Sequence, residues 1–167
     1  MAAVDTEEVT DEAVRLGREE GEAIWMLDAQ DTIKADAERT GGGFSVVEFL
    51  DFEGSSVPLH VNDRWGTGFY VLEGEYSFVI ADEMVAASVG WWVYVPPGTP
   101  HAWRCDSPGG QLLNVTVPRW LRGFYRRAGE SVPERTRLPA RSEPDVEALS
   151  NRAARYGIRI VGPPPGA

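Results

Sequence analysis

The stretches GSSVPLHVN (Gly54–Asn62) and GWWVYVPPGTPHAWRC (Gly90–Cys105) contain the only two histidines of a chain of 167 residues, His60 and His101. Each histidine stands in a short β-type run behind a turn rich in proline or glycine. Side chains alternate faces along a strand, so His60 and Asn62 point one way together, as do His101, Trp103 and Cys105. The reading that follows is a β-barrel whose two histidines face each other across the interior.

Working outward, ten short β-type runs follow one another, at residues 24–27, 32–35, 44–52, 57–62, 67–72, 76–81, 84–87, 91–95, 101–105 and 111–117. Turn residues separate them, among them Gly41-Gly42-Gly43, Glu53-Gly54, Glu73-Gly74, Pro97-Gly98 and Pro108-Gly109-Gly110. Many short strands in series predict an antiparallel sandwich or barrel. Helical spacing flanks it: an acidic helix over residues 5–21, a segment after Pro118 with Trp120, Leu121, Phe124 and Tyr125 on one side, and a helix from Pro144 to Tyr156 capped by Gly157. The second of these is placed to close one end of the barrel, and Ile158 to Val161 reads as a short edge strand. The expected organisation is an N-terminal helical arm (1–22), a barrel (23–118) and C-terminal helices and tail packing on the barrel (119–167).

Composition bounds the function. A net charge of -10 and a pI near 4.7 repel a phosphate backbone and an anionic membrane, which argues against a nucleic-acid partner. Acidic residues lead, from Asp5 to Glu22, whereas arginines crowd a late stretch from Arg119 to Arg141; the two groups either meet or stay solvated. Cys105 is the single cysteine, so no intrachain disulfide forms; no apolar run approaches membrane length and no leader pattern is visible, which places the protein in the cytoplasm. Lys34 is the lone lysine against many arginines, and Ala, Gly and Pro abound, as in the proteins of GC-rich bacteria.

With those residues in hand, the chain resembles the cupin superfamily. The first cupin motif places glycine, His, His, Glu and glycine at the spacing occupied here by Gly54, His60, Asn62, Thr67 and Gly74; the second places glycine, Pro, Gly, His and Asn where Gly90, Pro96, Gly98, His101 and Cys105 stand. Seven of the ten positions agree, and the pair of motifs accounts for both histidines. Gly21 to Ala35, Thr40 to Glu48 and Ala153 to Ile158 also look like small single-domain bacterial cupins of the quercetin dioxygenase-like kind. The resemblance implies an all-β double-stranded β-helix, or jelly-roll, and a homodimer formed through the sheets and an N-terminal segment. It implies too a divalent transition metal (Fe, Ni, Mn, Zn or Cu) on three His and one Glu, of which this chain keeps His60 and His101, with Asn62 and Thr67 as weaker, neutral donors.

Three functions are compatible with these residues. In the leading one, His60 and His101 act as acid and base on a small aromatic or polyketide-like metabolite in a non-oxidative cyclisation, isomerisation or dehydration that requires no cofactor. Asn62, Thr67, Phe69, Trp103 and Cys105 then bind the substrate. In the second, a metal held by His60, His101 and Asn62 supports dioxygenase chemistry. In the third, the pocket binds a small molecule without turnover. Against all three stands a plain core role, two buried histidines satisfied by hydrogen bonds. Cys105 reads as a small buried hydrophobe rather than a nucleophile. Trp91 sits where the resembling cupins carry an acidic residue, and its facing is open.

Overall fold

A computed structural model of the chain describes residues 13–27, 29–117, 123–132 and 145–166. Its strands run, in order, β1 (Glu22–Met26), β2 (Ala29–Ala35), β3 (Ser45–Phe52), β4 (Leu59–Asn62), β5 (Thr67–Glu73), β6 (Glu75–Ile80), β7 (Glu83–Ser88), β8 (Trp92–Val95), β9 (His101–Cys105) and β10 (Gly109–Thr116). Helix α1 (Phe124–Ala128), β11 (Glu130–Ser131), helix α2 (Val146–Ala154) and β12 (Ile158–Gly162) complete the described elements. They form two antiparallel sheets, of order β11-β1-β2-β3-β10-β5-β8 and β12-β4-β9-β6-β7. This is the all-β jelly-roll expected from the strand series.

Alternation builds the interior. Along β3, Ser45, Val47, Phe49 and Asp51 are buried while their neighbours are half-exposed, and along β10 the buried set is Gly110, Leu112, Asn114 and Thr116. The two sheets meet over one core that takes Val47, Phe49, Phe69, Val71 and Leu112 from the longer sheet and Tyr76, Phe78, Trp103 and Cys105 from the shorter. At about 25 cal/mol per Å² of apolar surface, that layer of aromatic and branched side chains is the main stabilising term. Gly74 makes the crossing from β5 to β6 possible: its φ is 85°, and a Cβ there would press on the Gly109 carbonyl.

One expectation changes. The helix over residues 5–21 falls partly outside the described residues, and residues 13–20 are not helical. The Lys34 ammonium donates to the carbonyls of Gly17, Arg18 and Glu20 at 2.8–2.9 Å, and although Gly17 also accepts from the Glu20 N–H at 3.2 Å in a single turn, the carbonyls converge on one side chain instead of continuing a helical ladder. β12 is an edge strand, as the alternation from Ile158 to Val161 predicts, pairing with β4, and the two-residue β11 extends the other sheet beside β1. Among the described residues the acidic and basic groups meet at Arg126, which binds Glu22 and, outside the acidic lead, Asp36 and Glu38. Among the described residues no helix is long and apolar enough to cross a membrane.

Candidate active site

Residues 54–62 run antiparallel to β9. Gly54 N–H donates to the Cys105 carbonyl at 2.9 Å, Val57 N–H to the Trp103 carbonyl at 3.1 Å, and His60 is the register partner of His101. The loop between is tied back by Gly98, at φ 77°, whose N–H donates to the Asn62 carbonyl at 2.8 Å. The histidines therefore stand side by side on neighbouring strands of the shorter sheet, ring centroids 4.2 Å apart and planes tilted by 50°. They do not face each other across the interior. Period-two alternation reports which face a side chain takes, and neighbouring strands of one sheet share that face.

Each imidazole is braced in the same way. Nδ1 of His60 bonds the Pro58 carbonyl at 2.8 Å, and Nδ1 of His101 bonds the Thr99 carbonyl at 3.0 Å. A carbonyl only accepts, so both rings carry their proton on Nδ1 and keep Nε2 as a bare lone pair. His101 is 1% exposed, and its Nε2 is buried without a partner. Burial, and then the neighbouring His101, push the His60 pKa down to about 3, against the opposing pull of the Pro58 carbonyl. Burial also lowers that of His101, opposed by the Thr99 carbonyl. Both rings are neutral at pH 7.

They open on a cavity of about 100 Å³ at one end of the barrel. The longer sheet supplies Phe49, Thr67, Phe69, Asn114 and Thr116 to its wall, α1 supplies Phe124 and Tyr125, and α2 supplies Leu149 and Ala153. Residues of both C-terminal helices thus line the cavity, Phe124 and Tyr125 among them as the spacing after Pro118 suggests, while Trp120 and Leu121 of that same reading lie outside the described residues. A hydrogen-bonded chain crosses the wall opposite the histidines. Tyr125 Oη donates to Asn114 Oδ1 at 3.1 Å, and Asn114 Nδ2 donates to Thr67 Oγ1 at 2.7 Å and to the Gly68 carbonyl at 3.1 Å. Burial, and then the Asp31 carboxylate, raise the Tyr125 pKa, so the phenol stays a donor. Thr67 accepts from Asn114 and keeps its own proton to give.

Of the residues expected to bind substrate, Asn62, Thr67 and Phe69 line this cavity with His60 and His101. Trp103 and Cys105 do not. Trp103 lies in the aromatic layer beneath, stacked on Phe49 at 5.6 Å and packed on Phe69 at 4.8 Å. Cys105 is beyond that layer, fully buried, its Sγ donating to the Ser107 carbonyl at 3.4 Å, and burial pushes its thiol pKa up. Two steps along a strand cover close to 7 Å, enough to carry a side chain from the pocket wall to the core and then past it. Trp91 is half-exposed outside the cavity. Asn114, Thr116, Trp65 and Tyr125 were not anticipated. The signal for the first two is present, since Leu112, Asn114 and Thr116 share one face of a strand, but the other face reads as equally apolar.

The donor set can be compared with what a cation needs. Two imidazoles braced through Nδ1 present Nε2 as metal ligands do. Among the described residues the other donors within the cavity wall are amides and hydroxyls, no carboxylate lines it, and no group of three or more His, Cys, Asp or Glu is placed to hold an ion. Two nitrogens and no negative charge do not fit a tightly held divalent cation.

The cupin domain family matches residues 50–116, which span both histidines. Quercetin 2,3-dioxygenase of Bacillus subtilis (strain 168) is 30% identical over 125 residues, 74% of this chain and 37% of that protein, so the chain spans little more than a third of its curated relative. Among solved structures, an RmlC-like cupin of Shewanella frigidimarina covers 66% of this chain and 95% of its own at 20% identity, with a TM-score of 0.57. A predicted oxalate decarboxylase of Thermotoga maritima covers 64% and 99% at 18% identity and the same TM-score. The nucleoside dehydratase Pac13, of Streptomyces, covers 64% and 83% at 20% identity and a TM-score of 0.54. At these identities the structures speak for the fold alone. Family match, paired motifs and jelly-roll agree, and the chain belongs to the cupin superfamily.

Proposed function

We propose that the cavity is the active site of an enzyme that moves protons on a small, uncharged metabolite without oxidation, as an isomerase, cyclase or dehydratase does. One observation carries the reading: a pair of neutral imidazoles, locked by Pro58 and Thr99 with Nε2 bare, stands at the wall of an otherwise largely apolar cavity. Both rings are unprotonated at neutral pH, so each Nε2 lone pair is free to meet a substrate proton. Two rings whose centroids lie 4.2 Å apart share one proton more readily than they hold two. One takes the substrate proton, and returning it to a neighbouring substrate atom completes the transfer. Thr67, held by Asn114 and Tyr125, donates to the substrate oxygen on which negative charge develops.

The test is hydrogen exchange in D₂O, followed by NMR, at the carbon beside the carbonyl of uncharged ketones and hydroxy-ketones. The native protein should exchange at least tenfold faster than His60→Gln and His101→Gln variants. Equal rates in all three proteins would remove the acid–base role. If the same variants also bind these ketones as the native protein does, the histidines belong to the core.

A second reading, metal-dependent dioxygenase chemistry at His60 and His101 with Asn62 completing the site, is favoured by the braced Nδ1 atoms and by the dioxygenase relative. Metal analysis of untagged protein decides between them. Stoichiometric Fe, Ni, Mn, Zn or Cu that is lost in His60→Ala would favour the second. The expected homodimer remains a proposal as well, and sedimentation equilibrium of the native chain tests it.

A further inference from the structure

Among the described residues three buried side-chain polar atoms lack a hydrogen-bond partner: Trp65 Nε1, His101 Nε2 and Thr116 Oγ1. All three residues line the same cavity. Native proteins leave few such atoms, because each unpaired buried polar group costs the free energy of its lost hydration. Three at one cavity mark where a ligand supplies the missing partners.

Their chemistry constrains that ligand. The Trp65 indole N–H can only donate, so it needs an acceptor. His101 Nε2 can only accept while its Nδ1 holds the Thr99 carbonyl, so it needs a donor. The Thr116 hydroxyl takes either role. Among the described residues no Lys, Arg, Asp or Glu lines the cavity, so none of them compensates a charged ligand for its lost water. Phe49 and Phe69 offer flat walls. We infer that the pocket selects an uncharged, planar hydroxy-carbonyl compound, with Trp65 Nε1–H on its carbonyl oxygen and His101 Nε2 accepting from its hydroxyl. Trp65 is then a specificity-determining residue, standing between Asn62 and Thr67 at a position where the first cupin motif fixes no residue type. The inference rests on the reading of this cavity as the ligand site and deepens it.

Calorimetry on the full chain tests the inference with probes on one aryl frame: the three hydroxyacetophenone isomers and the matching ethylphenols, methoxyacetophenones and hydroxybenzoates. The best hydroxyacetophenone should bind at least tenfold tighter than its counterpart lacking the carbonyl, the free hydroxyl or the neutral charge. Trp65→Phe keeps an aromatic side chain but loses the pyrrole ring with its N–H, and should abolish the preference over the ethylphenol. On native protein, where no variant need fold, the Trp65 indole ¹⁵N–¹H resonance should shift with carbonyl-bearing probes and stay in place with ethylphenols. A hydroxybenzoate or methoxyacetophenone that binds as tightly as the hydroxyacetophenone overturns the inference. So does an unmoved indole resonance, or a Trp65→Phe variant that keeps the full preference. Binding with the expected preference but without hydrogen exchange would sustain this inference and sink the acid–base role. Exchange on ketones whose binding ignores Trp65 would do the reverse.

Discussion

Replacing His60 with Asn should flatten the acid limb of the stability curve. In the unfolded chain the imidazole gains its proton near pH 6.5, whereas in the folded chain burial and His101 hold it neutral down to about 3. Between those values the unfolded state binds more protons, so folding weakens as pH falls. Stability from this source is complete above about pH 6.5 and declines by roughly 1.4 kcal/mol per pH unit below it. From pH 6.5 to 4.5, above the range of ordinary carboxylates, the loss from His60 is about 3 kcal/mol, and His101, shifted in the same direction, adds to it. Urea unfolding followed by tryptophan fluorescence at intervals from pH 7.5 to 4.5 measures the slope. His60→Asn alters packing at every pH, so the slope and not the absolute stability is the readout. Below pH 6.5 the native protein should approach a loss of about 1.4 kcal/mol per unit more than the variant, with no difference in slope above it. Parallel slopes would refute the account, for they would mean that His60 titrates in the folded protein as it does in water.

Three further substitutions probe the surroundings of the site. Tyr125→Phe removes the donor to Asn114 Oδ1 and leaves a buried amide oxygen unpaired, so urea unfolding should show a loss of roughly 1–2 kcal/mol. Gly68→Ala would drive a methyl into the Trp92 ring that lies over it; displacing that ring should cost roughly 1–3 kcal/mol and shift tryptophan emission to the red. Arg126→Leu withdraws the cation that joins α1 to Glu22 and Asp36, and a loss of roughly 1 kcal/mol that shrinks in 1 M NaCl should appear in denaturation at the two salt concentrations.

Much of the architecture is legible in residue order. Alternation marks the ten strands from β1 to β10 within a few residues at each end, and the glycines at 74 and 98 take the positive φ that the turns require. The helix ends are likewise local: Asp145 caps α2, its carboxylate accepting from the Ala148 N–H, and Gly157 follows at φ 78°. The two-residue β11 carries no pattern of its own and exists because β1 offers it an edge. Residues 13–20 went the other way, since their carbonyls found Lys34 across the surface.

The site divides along the same line. That His60, Asn62, Thr67 and His101 belong together follows from motif spacing, a property of the chain read in one dimension. That the histidines are neighbours in one sheet, that their bare nitrogens are Nε2, and that Cys105 lies behind an aromatic layer follow from strand pairing and from which carbonyl meets which ring. Trp65, Asn114 and Tyr125 join the cavity from β10, α1 and a loop that only folding brings together. Periodicity records the direction of a side chain relative to its own backbone, whereas protonation state and partnership depend on groups remote in sequence that exclude water around it.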